Sequence, residues 1–104
     1  MIDKIDVARV RRESLRWLLL LALYNSRPAE LVEGVLLATA QAMYPDSTPI
    51  EIRRELDYLF DRRLVELRKS PSGMWWGNLT RYGTDIVEYT IDCEPGIARP
   101  AKYW

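Results

Sequence analysis

Residues 48–89 read TPIEIRRELDYLFDRRLVELRKSPSGMWWGNLTRYGTDIVEY, and the order of elements in this stretch decides the fold. It opens with the signals of a helix start: a capping hydroxyl at Thr48, a proline at Pro49 where no N–H is needed, and a capping-box carboxylate at Glu51. Ile52, Leu56, Leu59 and Phe60 recur at helical spacing and form the apolar stripe of that helix. Glu51, Arg54, Tyr58 and Asp61 make a polar face, with Arg53 and Asp57 alongside, and the helix is expected to end near Arg63. Leu64–Arg68 then alternates as a strand, Lys69–Gly73 is a turn built from Ser, Pro and Gly, and Met74–Leu79 is the return strand. Trp75 and Trp76 are neighbours on that strand and point to opposite faces, one toward the core. Thr80 or Thr84 caps a last helix carrying Ile86, Val87 and Tyr89.

Outward from this segment, the chain before it reads as two more helices. The first spans about Val7–Tyr24, with Val10, Leu18, Leu21 and Ala22 near one stripe, Ser14 and Leu15 between them, and Trp17, Leu19, Leu20 and Leu23 outside it. A helix apolar nearly all round is buried on more than one side, at the centre of the monomer or against another copy of the chain. The second helix is expected over residues 28–44, with Pro28 in its first turn and Ser26 as a cap. Leu31, Val35, Ala38 and Ala42 share one face, and Gly34 marks a close helix approach. From Ile91 onward, IDCEPGIARPAKYW has no periodicity and reads as an extended tail closed by Tyr103 and Trp104, which either fold back on the domain or a partner or stay free. This gives one domain over residues 1–90 and a tail over residues 91–104, mainly α with a small β-hairpin.

Composition removes most chemistry. The 104 residues include no His and one Cys, so Ser-His and Cys-His pairs, an internal disulfide and a zinc site of the usual ligands are excluded. There is no glycine-rich phosphate loop. Glu30 and Glu33 could line a site, but carboxylates on helix surfaces are usually solvated. No enzyme, cofactor, metal or small-molecule ligand is expected. The apolar run Trp17–Tyr24 is too short to span a membrane, which needs about 20 residues. A lone cysteine at Cys93 and the absence of a targeting signal fit a cytoplasmic protein. Fifteen basic residues balance 15 acidic ones, but residues 1–25 and 48–82 each carry a surplus of two positive charges, and 26–47 and 83–104 each a deficit of two.

The string EIRRELDYLFDRRLVELRKSPSGMWWGNLTRYGTDIVE resembles the x-I-x-x-x-L-x-x-L-x-x-x-x-L-V-…-G-…-L-T-x-x-G pattern of winged helix-turn-helix regulators, with Leu79, Thr80 and Gly83 as its closing element. The chain as a whole is similar to small winged-helix proteins of Mu-like phages and prophages. The resemblance implies a three-helix core, a two-stranded wing, a C-terminal helix and tail, and duplex-DNA binding by a phage or bacterial transcriptional regulator. It implies that Arg53, Arg54, Tyr58 and Arg62 meet the major groove, that Arg68, Lys69, Ser70 and Ser72 meet the backbone from the wing, and that Arg81 follows the wing. The residues themselves leave an alternative open, a winged-helix module that binds protein. Helix neighbours such as Arg53 and Asp57 can neutralise each other, and four basic residues on that helix meet four acidic ones. A homodimer through the first helix or the tail is expected.

Overall fold

The computed structural model describes residues 5–102. These form α1 (Val7–Ser26), β1 (Leu31–Val32), α2 (Glu33–Met43), α3 (Pro49–Asp61), β2 (Val65–Lys69), β3 (Trp75–Leu79) and α4 (Arg81–Val87). The fold is mixed α/β, with four helices and one small three-stranded antiparallel sheet among the described residues, in strand order β1-β3-β2. β2 and β3 form the hairpin, with Val65 opposite Leu79 and Lys69 opposite Trp75. β1 adds the third strand by pairing Leu31 with Gly77 and Val32 with Trp76.

That third strand corrects the expectation of a two-stranded sheet and of a helix beginning at Pro28. Two residues have no periodicity of their own, and only the free edge of β3, more than 40 residues on, makes Leu31–Val32 a strand. α2 therefore starts at Glu33, after Val32, with no side-chain cap. The Ser26 hydroxyl instead lies 3.0 Å from the Leu23 carbonyl and 2.9 Å from that of Ala29. The face of α2 moves with its start: Leu36 and Ala40 are buried, whereas Val35, Ala38 and Ala42 are exposed. Gly34 is exposed too, with open space where a Cβ would stand, so no close helix approach occurs there.

α1 runs through the centre of the monomer and touches α2, α3, α4 and β3. Its buried residues are Leu15, Leu19, Leu20 and Leu23; of the expected stripe only Leu15 is among them, and Val10 is exposed. In a helix this uniformly apolar, periodicity offers several equivalent faces and the neighbours choose one. With Leu36, Ile52, Leu56, Leu59, Leu64 and Ile86 these leucines form one core, each worth about 1.5–3 kcal/mol in burial.

α3 begins as its capping signal requires: the Thr48 hydroxyl accepts the Glu51 N–H at 3.2 Å, with Pro49 in the first turn. Its inner face holds Ile52, Leu56 and Leu59, but the fourth inward position is Glu55, and Phe60 is 50 % exposed instead. At its end, Leu64 N–H reaches Leu59 O at 3.0 Å and Arg63 N–H reaches Phe60 O at 2.9 Å. Arg63 is left-handed at φ 63°, so this C-terminal motif is made without its usual glycine. α4 ends the same way through Tyr89 at φ 61°, placing that residue outside the helix with its ring edge-on to Trp17, 6.3 Å between centroids. No helix among the described residues is long and apolar enough to cross a membrane.

Candidate functional site

The exposed side of α3 carries Ile50, Arg54, Asp57, Phe60 and Asp61. Beside it stands the four-residue turn Ser70–Gly73. This turn is closed by Ser70 N–H to Met74 O at 2.8 Å and by a 2.8 Å hydrogen bond between the Ser70 and Ser72 hydroxyls, with Gly73 at φ 88°. One side chain fastens the turn to the helix. Arg53 donates through Nε to Glu33 Oε2 at 2.6 Å, through a terminal nitrogen to the other carboxylate oxygen, and through that nitrogen to Gly73 O at 2.7 Å. Its guanidinium also lies 4.9 Å from the Trp75 ring centre, on which Lys69 Nζ sits at 4.1 Å. Glu33 in turn accepts the Trp75 N–H at 3.1 Å. One acidic residue of α2 thus holds both α3 and the hairpin.

The Arg53 hydrogen bonds keep the Glu33 carboxyl below its usual range against the opposing effect of burial, and Glu33 raises Arg53 in return. The expected pairing of Arg53 with Asp57 is therefore replaced. A helix neighbour offers an exposed carboxylate, whereas Glu33 offers a half-buried one with two oxygens in fork geometry. Arg68 is committed likewise: it donates to Glu30 at 2.6 Å, lies 5.0 Å from the Trp76 ring centre, and is raised by the Glu30 hydrogen bonds. Trp75 packs against the core and Trp76 does not, which is the expected division of the two rings.

Tyr58 and Arg62 belong to another side of α3. Tyr58 lies between two guanidinium groups, Arg16 at 3.4 Å and Arg62 at 3.6 Å. Gly96, at φ 106°, presses against the Tyr58 hydroxyl, where a Cβ would come within 2.1 Å. Arg62 pairs with Glu94 of the tail at 3.2 Å. Arg81 stands at the far end of β3 from the turn, its side chain mostly exposed, 3.5 Å from Asp85. The nine sequence candidates thus separate. Arg53, Arg54, Lys69, Ser70 and Ser72 flank the α3–turn surface, Arg68 crosses the sheet, Tyr58 and Arg62 hold the tail, and Arg81 is apart. Arg54 and Lys69 make no ion pair among the described residues.

The residues that organise this arrangement carried little signal in the sequence. Glu55 is 1 % exposed and accepts from Arg16 Nε at 2.7 Å, and Arg16 also donates to Gly96 O at 2.8 Å. Arg11 clamps the start of α3 through Glu51, at 2.7 and 2.8 Å, and Asp46, which together raise it. Glu51 therefore faces α1 rather than closing a capping box. Their partners are 35 to 80 residues distant, beyond the reach of any spacing rule. Cys93 is half-buried, and burial pushes its thiol up, away from the reactive thiolate. Tyr103 and Trp104 lie outside the described residues. No family model matches this chain, and comparison with curated proteins and with solved structures yields no match either.

Proposed function

We propose that the chain is a winged helix-turn-helix protein that binds duplex DNA with the outer face of α3 and the Ser70–Gly73 turn, in a transcriptional role in a phage or bacterium. The observation that carries this reading is the element order α1-β1-α2-α3-β2-β3 closed by the sheet order β1-β3-β2, which sets an exposed helix beside a hairpin turn. That is the juxtaposition by which winged helices place a helix in the major groove and a hairpin on the backbone. It agrees with the resemblance carried by Leu79, Thr80 and Gly83. Arg54 and Lys69, which make no ion pair among the described residues, are the cations of this surface that would meet base edges and phosphates, Lys69 from its seat on the Trp75 ring. Arg53 is a positioning residue, because its donors are committed to Glu33 and Gly73.

A second reading, docking of a protein on the same face, is favoured by its composition. Ile50 is 70 % and Phe60 50 % exposed, and the exposed Asp57 and Asp61 of the same helix would repel phosphate. Fluorescence polarisation with a random duplex separates the two. DNA binding predicts salt-sensitive affinity, with Arg54→Ala and Lys69→Ala each lowering the salt slope by about one. No salt-sensitive binding at about 50 mM salt sinks the DNA reading and leaves the protein-docking one.

A further inference from the structure

We infer that the pocket between α2 and α3 binds a small apolar carboxylate, whose oxygens meet the spare nitrogen of Arg53. The inference does not depend on DNA binding. The pocket holds about 190 Å³ and is walled by Gly34 and Leu37 of α2 and by Pro49 and Ile52 of α3, with the Glu33–Arg53 ion pair also in its lining. Gly34 and Pro49 are exposed and form its open rim. A closed apolar cavity of about 150 Å³ takes up a benzene ring. This pocket therefore has room for one ring, or a chain of about six carbons, and for a head group at the polar pair.

That pair decides the head group. The Glu33 oxygens are taken: Oε2 accepts Arg53 Nε at 2.6 Å, and Oε1 accepts Arg53 Nη2 and the Trp75 N–H, the latter at 3.1 Å. Arg53 spends Nε and Nη2 on Glu33, and Nη2 again on Gly73 O at 2.7 Å. Its Nη1 has no hydrogen-bond partner among the described residues. Two N–H donors thus remain unused on a residue of the lining, and what they lack is an acceptor. Charge agrees. Lys69 Nζ sits 4.1 Å from the centre of the Trp75 ring, which the Arg53 guanidinium approaches at 4.9 Å, and Lys69 makes no ion pair among the described residues. Two cations against the one carboxylate of Glu33 favour an anion here. Asp57, one turn beyond Arg53, does not line the pocket. Bare phosphate would leave Leu37 and Ile52 uncovered, so the anion carries an apolar body. Gly34 fits the same reading. Its φ is not left-handed and a Cβ there would meet nothing within 4 Å, so neither the backbone nor the packing of the chain calls for a residue that weakens a helix. In this place it keeps the mouth of the pocket open.

The test is a titration of the isotope-labelled full chain with benzoate and hexanoate at neutral pH, read from the amide shifts of Gly34, Leu37 and Arg53. Benzamide, hexanamide and acetate are run beside them. The inference expects saturable shifts at these residues with a dissociation constant of about 1 mM or tighter, the range open to about nine heavy atoms. The amides keep the apolar body without the charge, and acetate keeps the charge without the body. Each should bind at least about tenfold more weakly, having lost the charge-assisted hydrogen bond or the apolar contact. Gly34→Leu fills the mouth of the pocket and should weaken benzoate at least about tenfold without lowering the melting temperature, because leucine favours the helix. Absence of saturation by either carboxylate up to about 20 mM overturns the inference. So does equal binding of acid and amide, or benzoate binding that Gly34→Leu leaves unchanged. The comparison of ligands needs no variant, so it decides even where Gly34→Leu misfolds.

Discussion

Glu55 is a carboxylate on the inward face of α3, among leucines, with Arg16 as its partner. Arg16 serves it with Nε and spends another nitrogen on Gly96 O, and no buried side-chain polar atom among the described residues is left without a partner. Removing one member of such a pair strands the other in the interior. Glu55→Ala is therefore expected to cost about 3–5 kcal/mol in urea unfolding, and Glu55→Leu with Arg16→Met to restore much of the loss. Glu33 adds an acid-sensitive contribution. Its folded-state pKa is depressed by Arg53 below the ordinary value of 4.5, so the unfolded chain takes up the proton first. Its stabilisation is complete above that value and declines as pH falls through the lower, folded one. Urea midpoints between pH 7 and 3, taken for the wild type and Glu33→Gln, should show a shallower acid loss in the variant.

Among the elements, the hairpin shows what each part of the Leu79-Thr80-Arg81-Tyr82-Gly83 run does. The Thr80 hydroxyl accepts the Gly83 N–H at 3.0 Å and lies 2.7 Å from Arg63 O, so one side chain caps α4 and ties it to the end of α3. Gly83 lies against the backbone, where a Cβ would come 2.1 Å from Leu64 O. The glycine is there for close approach, not for an unusual dihedral. Gly83→Ala is expected to lose about 2 kcal/mol or more, read as a lower urea midpoint at unchanged slope, because the obstacle is backbone and cannot rotate away. The Thr48 and Thr80 caps and the turn were legible in the sequence because each is complete within three or four residues, whereas the expected Ser26 cap is not made. β1 was not legible, since its partner strand lies far along the chain, and neither was the face of α2 that its start determines.

Over the whole molecule, the tail is the part that periodicity describes least. Beyond α4 the described residues form no regular element, yet they dock: Ile97 is buried in the core, Ala98 N–H reaches Glu13 O at 3.1 Å, and Arg99 reaches the carbonyls of Ile86 and Ile91 at 3.0 Å. If the tail folds with the rest, Ile97→Ala should destabilise global unfolding by about 2–5 kcal/mol, with fluorescence and circular dichroism giving one transition. The same long-range pairing changes what the surface presents. Arg53, Arg62 and Arg68 are held by Glu33, Glu94 and Glu30, so of the cations flanking the α3–turn surface Arg53 is committed to an ion pair and Arg54 and Lys69 are not. The sequence alone determined α3, the hairpin and their caps, because those signals act between near neighbours. Only the tertiary structure decided which side of α1 is core, that Leu31–Val32 is a strand, and which cations of α3 and the hairpin are held in ion pairs. Each depends on groups that meet only when distant segments pack.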